Sequence, residues 1–154
     1  MKKTPQEKRI QQNLQPGVIT LTGFLGNDHR FYQDIIEEDK NMLIELCITP
    51  DEVADRLQYF TELAWDSYDG PIIIDDVYQV EYKSYRGKIP CPFLHPGLFP
   101  KGTITLRNLF CQKEICWTPL NIHMIRKHCF FEGKGTPHRI EPNEIIEILF
   151  CKES

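Results

Sequence analysis

The stretch Ile48–Ile74, ITPDEVADRLQYFTELAWDSYDGPIII, determines the fold class that we predict for this chain. Thr49 is a predicted N-cap, Pro50 occupies the first helical position, and Glu52 completes a capping box. Apolar residues then recur at helical spacing, and an Asp-Gly-Pro sequence ends the predicted helix at about residue 68. The apolar run from Ile72 is typical of a short buried strand. The stretch therefore predicts a fold that contains both helices and a sheet.

The segments on either side complete the predicted fold. Residues 29–47 carry apolar residues along one side of a second helix, and a tight turn joins the two helices into an αα-hairpin. Further strands are predicted over 72–74, 77–82, 103–107 and 114–117, and further helices over 119–129 and from Glu141 onward. We therefore predict an α+β fold in which an N-terminal αα-hairpin packs on a small, mostly antiparallel sheet, with two short C-terminal helices.

The chain length and the polar N-terminus define the predicted domain organisation. Residues 1–16 are polar and end at Pro16-Gly17, so we predict a mobile N-terminal tail there. Val18–Thr22 is short and β-branched, which favours a strand. A chain of 154 residues with 41% apolar content is sufficient for one hydrophobic core. We predict a single globular domain over residues 17–154.

The hydropathy of the chain predicts where the protein is located in the cell. No apolar run approaches the ~20 residues of a membrane span, and the basic N-terminal segment lacks the apolar region of a signal peptide. We therefore expect a cytoplasmic protein without a membrane partner.

None of the six cysteines forms a C-x-x-C pair, so we interpret them as reduced thiols that act as small core side chains.

A glycine-containing segment, LTGFLG at residues 21–26, follows the predicted strand and precedes a predicted helix. It resembles the opening of the P-loop in the metallochaperone GTPases related to CobW. That resemblance implies a phosphate-binding loop, whose motif needs Gly, Lys and Ser/Thr where this chain has Asp28, His29 and Arg30. We therefore predict a plain glycine turn here, with Asp28 as the cap of the next helix.

The charges are unevenly distributed along the chain. Residues 18–82 carry three Lys/Arg and fifteen Asp/Glu, whereas residues 83–139 carry ten Lys/Arg and two Asp/Glu. The two halves can attract one another within one chain or across a homodimer. Alternatively, the basic half can bind an anionic partner.

If the basic half binds an anion, the predicted helix over 119–129 and the loop that follows it are the candidate site. On a helical wheel, His123, Arg126 and Lys127 share an outer face, whereas His128 lies about 140° from His123, inside the apolar arc. The Gly-Lys-Gly sequence after this helix can form an anion-binding nest. The predicted ligand-binding residues are His123, Arg126, Lys127, Lys134, Gly135, His138 and Arg139.

Two other kinds of site share some of these residues. Cys91, His95, His123 and His128 have partial zinc-ligand spacing, although His123 and His128 converge only if the last helical turn is distorted. Alternatively, Cys91 is a nucleophile with His95 or His123 as its base, although Pro90 and Pro92 remove backbone donors beside it.

The function that we predict is the binding of an anion, either a phosphate-bearing small molecule, a nucleotide or a nucleic-acid backbone, by the basic helix and loop. This interpretation requires no cofactor. The alternatives are a Cys/His-dependent or zinc-dependent hydrolase-like enzyme and a structural or partner-binding module. The proline-rich, apolar segment 89–100 bears on the last of these, because it either packs on the core as a lid or presents a surface to a partner.

Overall fold

Helices surround one face of a four-stranded sheet in the computed structural model, which describes residues 2–65, 67 and 70–150. The elements are α1 (Pro5–Asn13), α2 (Tyr32–Glu45), α3 (Pro50–Trp65), β1 (Ile72–Ile74), β2 (Tyr78–Pro90), β3 (Leu98–Asn108), β4 (Lys113–Trp117), α4 (Pro119–His128), a 3₁₀ turn (Pro142–Glu144) and α5 (Ile145–Leu149). The predicted α+β class is confirmed, including the α2–α3 pair that precedes the sheet and the short helices that follow it.

The sheet is an antiparallel meander in the order β1-β2-β3-β4. Asp75 and Asp76 are the central residues of the β1–β2 turn, which the Val77 N–H closes by donating to the Ile74 carbonyl oxygen. Both have positive φ, 55° and 57°, as a type I′ turn requires. Val80 lies opposite Leu106, which in turn lies opposite Ile115. Val80 and Leu106 are fully buried because this face packs against the helices.

The main hydrophobic cluster joins α3, the sheet and α5. Trp117 is fully buried, and its Nε1 donates a hydrogen bond to Thr61 Oγ1 over 2.9 Å. Arg56 extends from α3 and donates to the Leu149 carbonyl oxygen over 2.7 Å. These two polar contacts tie α3 to β4 and to α5, so the predicted packing of helix on sheet has specific anchors.

The N-terminal segment differs from the predicted tail, because Pro5–Asn13 is a helix that packs on the domain. A reciprocal capping box between Thr4 and Glu7 starts this helix. Ile10 and Leu14 then lie on one face and are buried in a second hydrophobic cluster with α2 and α4. Apolar burial and capping together order a segment that is polar overall.

Two predictions about extended structure are corrected. Val18–Thr22 forms turns and bends rather than a strand. Conversely, strands β2 and β3 continue into the proline-rich segment, where Pro90 lies opposite Leu98. Prolines are tolerated there because β1 pairs only as far as Val80 and β4 only with Ile104–Asn108, so this end of the hairpin is a two-stranded ribbon with open edges.

The helix boundaries are close to those predicted. α2 begins at Tyr32 instead of residue 29, because Asp28 bonds to Arg30 and does not cap the helix. The predicted end of α3 at about residue 68 lies outside the described residues. Within residues 2–65, 67 and 70–150, none of the helices has both the length and the apolar character that crossing a membrane would require.

Candidate metal centre

Arg126, a predicted anion ligand, is engaged with the chain's own carboxylates. Its Nη1 lies 2.8 Å from Asp55 Oδ1 and 3.8 Å from Asp51 Oδ1. Both aspartates belong to the acidic half, on α3. The basic half and the acidic half therefore attract one another within a single chain at this point.

Arg139 is likewise occupied, in a buried ion-pair network. Its two Nη atoms lie 2.6 and 2.9 Å from the two Asp39 carboxylate oxygens, and its Nε lies 3.1 Å from Glu141 Oε1. The Arg139 and Asp39 side chains are only 8% and 6% exposed. A guanidinium held in this way fixes α2 to the C-terminal loop and is not available to an external anion.

The Gly-Lys-Gly turn also has an internal anion. The Lys134 N–H donates to Asp28 Oδ2 over 3.3 Å, and the Asn27 N–H donates to the Lys134 carbonyl oxygen over 2.9 Å. Arg30 is the main cause that lowers the pKa of Asp28 to about 2, with the Lys134 N–H contributing. The carboxylate of Asp28 thus binds the Gly-Lys-Gly turn that was predicted to form an anion nest.

The remaining predicted ligands are dispersed. The Lys127 and Lys134 side chains are exposed, His138 lines a cleft on another part of the surface, and the His123 ring stacks on His95. The structure therefore does not bring the seven predicted anion ligands to one point. It does bring together Cys91, His123 and His128, three of the four residues of the alternative zinc site.

Cys91 is placed by the loop that connects β2 to β3. It follows the last residue of β2, and Leu94 and Gly97 reverse the chain with positive φ of 62° and 118°. The backbone N–H groups of Phe93 and His95 act to lower the pKa of the Cys91 thiol, although burial has the larger and opposite effect. Backbone amides near a sulphur atom stabilise a thiolate there when a cation neutralises it.

The two histidines are placed by α4. Thr118 starts this helix with a reciprocal bond to Asn121, and Leu120 and Met124 anchor it in the second hydrophobic cluster. His128 is the last helical residue, since Cys129 is left-handed with φ 51°. The His123 and His128 rings lie 5.5 Å apart between centroids.

The prediction that His123 faces outward is wrong, although Lys127 does lie near enough to affect its pKa. The wheel placed it on an outer face with Arg126 and Lys127, but the β2–β3 hairpin extends over this part of α4. The Phe99 ring lies 4.6 Å from the His123 ring and His95 stacks on it at 4.8 Å. The phenylalanines that form these walls, Phe93 and Phe99, were not among the predicted site residues, and only the apolar character of segment 89–100 indicated them.

The ligand atoms of this cluster have the spacing of a metal site. Cys91 Sγ lies 3.7 Å from His128 Nε2, and one ligand atom from each of Cys91, His123 and His128 lies within 4.8 Å of the others. In a tetrahedral zinc site, a sulphur and a nitrogen ligand are about 3.6 Å apart, as follows from Zn–S and Zn–N bonds of about 2.3 and 2.0–2.1 Å. The three residues therefore need only small movements to share one ion.

His123 supplies the most informative single atom of the cluster. Its Nε2 is buried and has no hydrogen-bond partner among the described residues. A buried polar atom without a partner costs about 1–3 kcal/mol. Coordination of a cation by this nitrogen removes that cost.

Electrostatics keep both histidines in the form that binds metal. Burial, with the nearby His123 and His95, lowers the pKa of His128 to about 4. Burial, with His95 and Lys127, also lowers the pKa of His123. Both imidazoles are therefore neutral at pH 7, and neutral imidazole is the metal ligand.

His95 is the remaining member of the group. It belongs to the same loop as Cys91, and its exposed ring lies 4.8 Å from His123 and 5.7 Å from His128 between centroids. Its nitrogens are not within the closely spaced ligand set. His95 can become a fourth ligand if its exposed side chain rotates toward the other three.

The same geometry argues against Cys91 as a nucleophile. A catalytic thiol needs a lowered pKa and access to substrate. Burial instead raises the pKa of Cys91, whose residue surface is only 5% exposed. Its closest histidine, His128, is a poor proton acceptor because of its low pKa. The pair favours a neutral thiol beside a neutral imidazole.

Comparisons with known proteins leave this geometry as the basis for assigning a function. The chain matches no protein-family model, no curated protein and no solved structure.

Proposed function

We propose that this chain binds one zinc ion through Cys91, His123 and His128, with His95 as the fourth ligand. The observation that carries the proposal is the close grouping of one ligand atom from each of Cys91, His123 and His128. The buried His123 Nε2, which has no hydrogen-bond partner among the described residues, supports it. Zinc suits a mixed sulphur and nitrogen ligand set better than the oxygen-preferring ions Mg²⁺ and Ca²⁺ do. Binding displaces the Cys91 thiol proton, and the backbone N–H groups of Phe93 and His95 assist this because they act to lower the pKa of the thiol.

The role that we assign to the ion is structural. Four protein ligands close the coordination sphere, whereas a catalytic zinc keeps one position for water or substrate. The ion then connects the end of the β2–β3 hairpin, which carries Cys91 and His95, to α4. Phe93 already stacks on His128 at 4.3 Å between ring centroids, so zinc completes an interface that aromatic packing has positioned. In this role, the zinc ion stabilises the fold of the chain.

The proposal predicts the zinc content of the purified protein. After dialysis against metal-free buffer, the chain should retain about one zinc per molecule. His123→Ala and Cys91→Ser should each reduce the content to near zero, because each removes a buried ligand. Elemental analysis by inductively coupled plasma mass spectrometry measures the content, and near-ultraviolet circular dichroism verifies that each variant is folded.

Matched variants separate a specific site from adventitious binding. His29 and Cys47 are exposed and lie outside the cluster, so His29→Ala and Cys47→Ser should leave the zinc content unchanged. His95→Ala should retain zinc but release it to a chelator sooner, because the three closely spaced ligands Cys91, His123 and His128 all remain. A folded wild-type chain that carries no zinc, and takes up none when zinc is added, would exclude the proposal.

A further inference from the structure

A separate cleft of about 490 Å³ lies between residues 20–24, the β2–β3 hairpin and the start of α4. Its volume is within the range of about 300–1,000 Å³ that is typical of small-molecule sites. Phe24, Ile89 and Leu120 provide apolar lining. The cleft is therefore large enough and apolar enough to hold an aromatic ring or a short acyl chain.

Two cations on the rim of this cleft are unpaired. Arg86 and Lys101 line it, and neither side chain has an ion-pair or hydrogen-bond partner within residues 2–65, 67 and 70–150. The two residues lie near each other along the hairpin, because Ser84 pairs with Gly102 and Lys88 pairs with Pro100 on either side of them. By contrast, the basic side chains of Arg30, Arg107, Lys113, Arg126 and Arg139 all pair with carboxylates.

The acidic group of the cleft does not neutralise these cations. Glu132 is 3% exposed and accepts a hydrogen bond from the Asn121 side chain, so its carboxylate is held within the wall of the cleft. Threonines at 20, 22 and 103 add hydroxyl groups to the lining. His138 is the one predicted anion ligand that lines this cleft.

We infer that the cleft binds a small organic anion that has an aromatic or acyl body and one anionic head group. The body lies against Phe24, Ile89 and Leu120, and the head group lies between Arg86 and Lys101. Unpaired cations beside an apolar surface are complementary to this ligand class, whereas a neutral apolar ligand would leave the charges unused. The inference goes beyond zinc binding and does not depend on it.

The probe for this site is 8-anilinonaphthalene-1-sulfonate, which combines an aromatic body with one anionic group. Fluorescence titration of the folded chain should show saturable binding. Arg86→Gln/Lys101→Gln should weaken it about tenfold, because two charge-assisted contacts are lost. Lys8→Gln/Arg9→Gln, on exposed positions of α1, makes the same change in net charge and should have no effect.

The neutral analogue N-phenyl-1-naphthylamine tests the role of the charge. Its affinity should be the same for the wild type and for the Arg86/Lys101 variant, since it has no group for the cations. Three results would overturn the inference: sulfonate binding that the cleft variant does not weaken, equal weakening by the α1 control, or equal sensitivity of the neutral analogue. Near-ultraviolet circular dichroism on each variant ensures that a partly unfolded chain is not the source of the fluorescence.

Discussion

Removal of zinc is expected to lower the free energy of unfolding of this chain by about 4 kcal/mol, the stabilisation that a ligand present at about 1,000 times its dissociation constant provides. The chain should nevertheless stay folded, because the main hydrophobic cluster contains none of the proposed ligands and the second contains only Cys91 among them. In this respect it should differ from zinc-finger peptides, which unfold without metal. Urea denaturation with and without 1,10-phenanthroline measures the difference.

Variants connect this effect to the proposed ligands. His123→Ala should have the low stability of the chelated wild type, and the chelator should not lower it further. His29→Ala, which changes an exposed histidine outside the cluster, should respond to the chelator as the wild type does. If phenanthroline leaves the urea midpoint of the wild type unchanged, the zinc ion does not stabilise this fold.

Glu132→Gln is expected to stabilise the chain at alkaline pH. Burial raises the pKa of the Glu132 carboxyl from 4.5 to about 7, so the folded state binds more protons than the unfolded state between these values. The free energy of unfolding therefore falls as pH rises from about 4.5 through about 7, by at most about 3 kcal/mol for this group. Glutamine is neutral at every pH and keeps an oxygen acceptor for the Asn121 side chain.

Urea denaturation at two pH values tests this sign. Glu132→Gln should exceed the wild type in stability by up to about 3 kcal/mol at pH 8 and by little at pH 4.5. Glu141→Gln provides a control of opposite sign, because Arg139 lowers the pKa of Glu141. That variant should be less stable than the wild type at pH 8. A Glu132→Gln chain that is less stable than the wild type at pH 8 would show that this carboxylate is stabilised in the fold.

Local signals explain why most of the fold could be predicted from the sequence. The structure contains the helix starts predicted from Thr-Pro at residues 49–50 and 118–119, and the strand predicted from the change of period at Ile72. Each of these signals depends on only a few neighbouring residues. Helix α1 was missed because Ile10 and Leu14 provide a narrow apolar face in a polar segment. Its order depends on α2 and α4, which are distant in sequence.

The site was harder to predict because its contacts are long-range. Arg126 pairs with a carboxylate 71 residues away and Arg139 with one 100 residues away. The local sequence therefore does not show that these two guanidinium groups are already paired. The zinc spacing was visible, but the helical wheel argued against it. That wheel ignored the hairpin that covers α4 and the left-handed residue Cys129 that ends the helix beside His128.

Cobalt substitution tests the central claim, a four-ligand site that contains one thiolate, most directly. Co²⁺ added to the zinc-free chain should produce the intense visible bands of a tetrahedral ion and a near-ultraviolet band from charge transfer between thiolate and cobalt. Zinc should abolish both, and Cys91→Ser should lack the charge-transfer band. A weak spectrum typical of six-coordinate cobalt, unchanged by Cys91→Ser, would contradict the proposed centre.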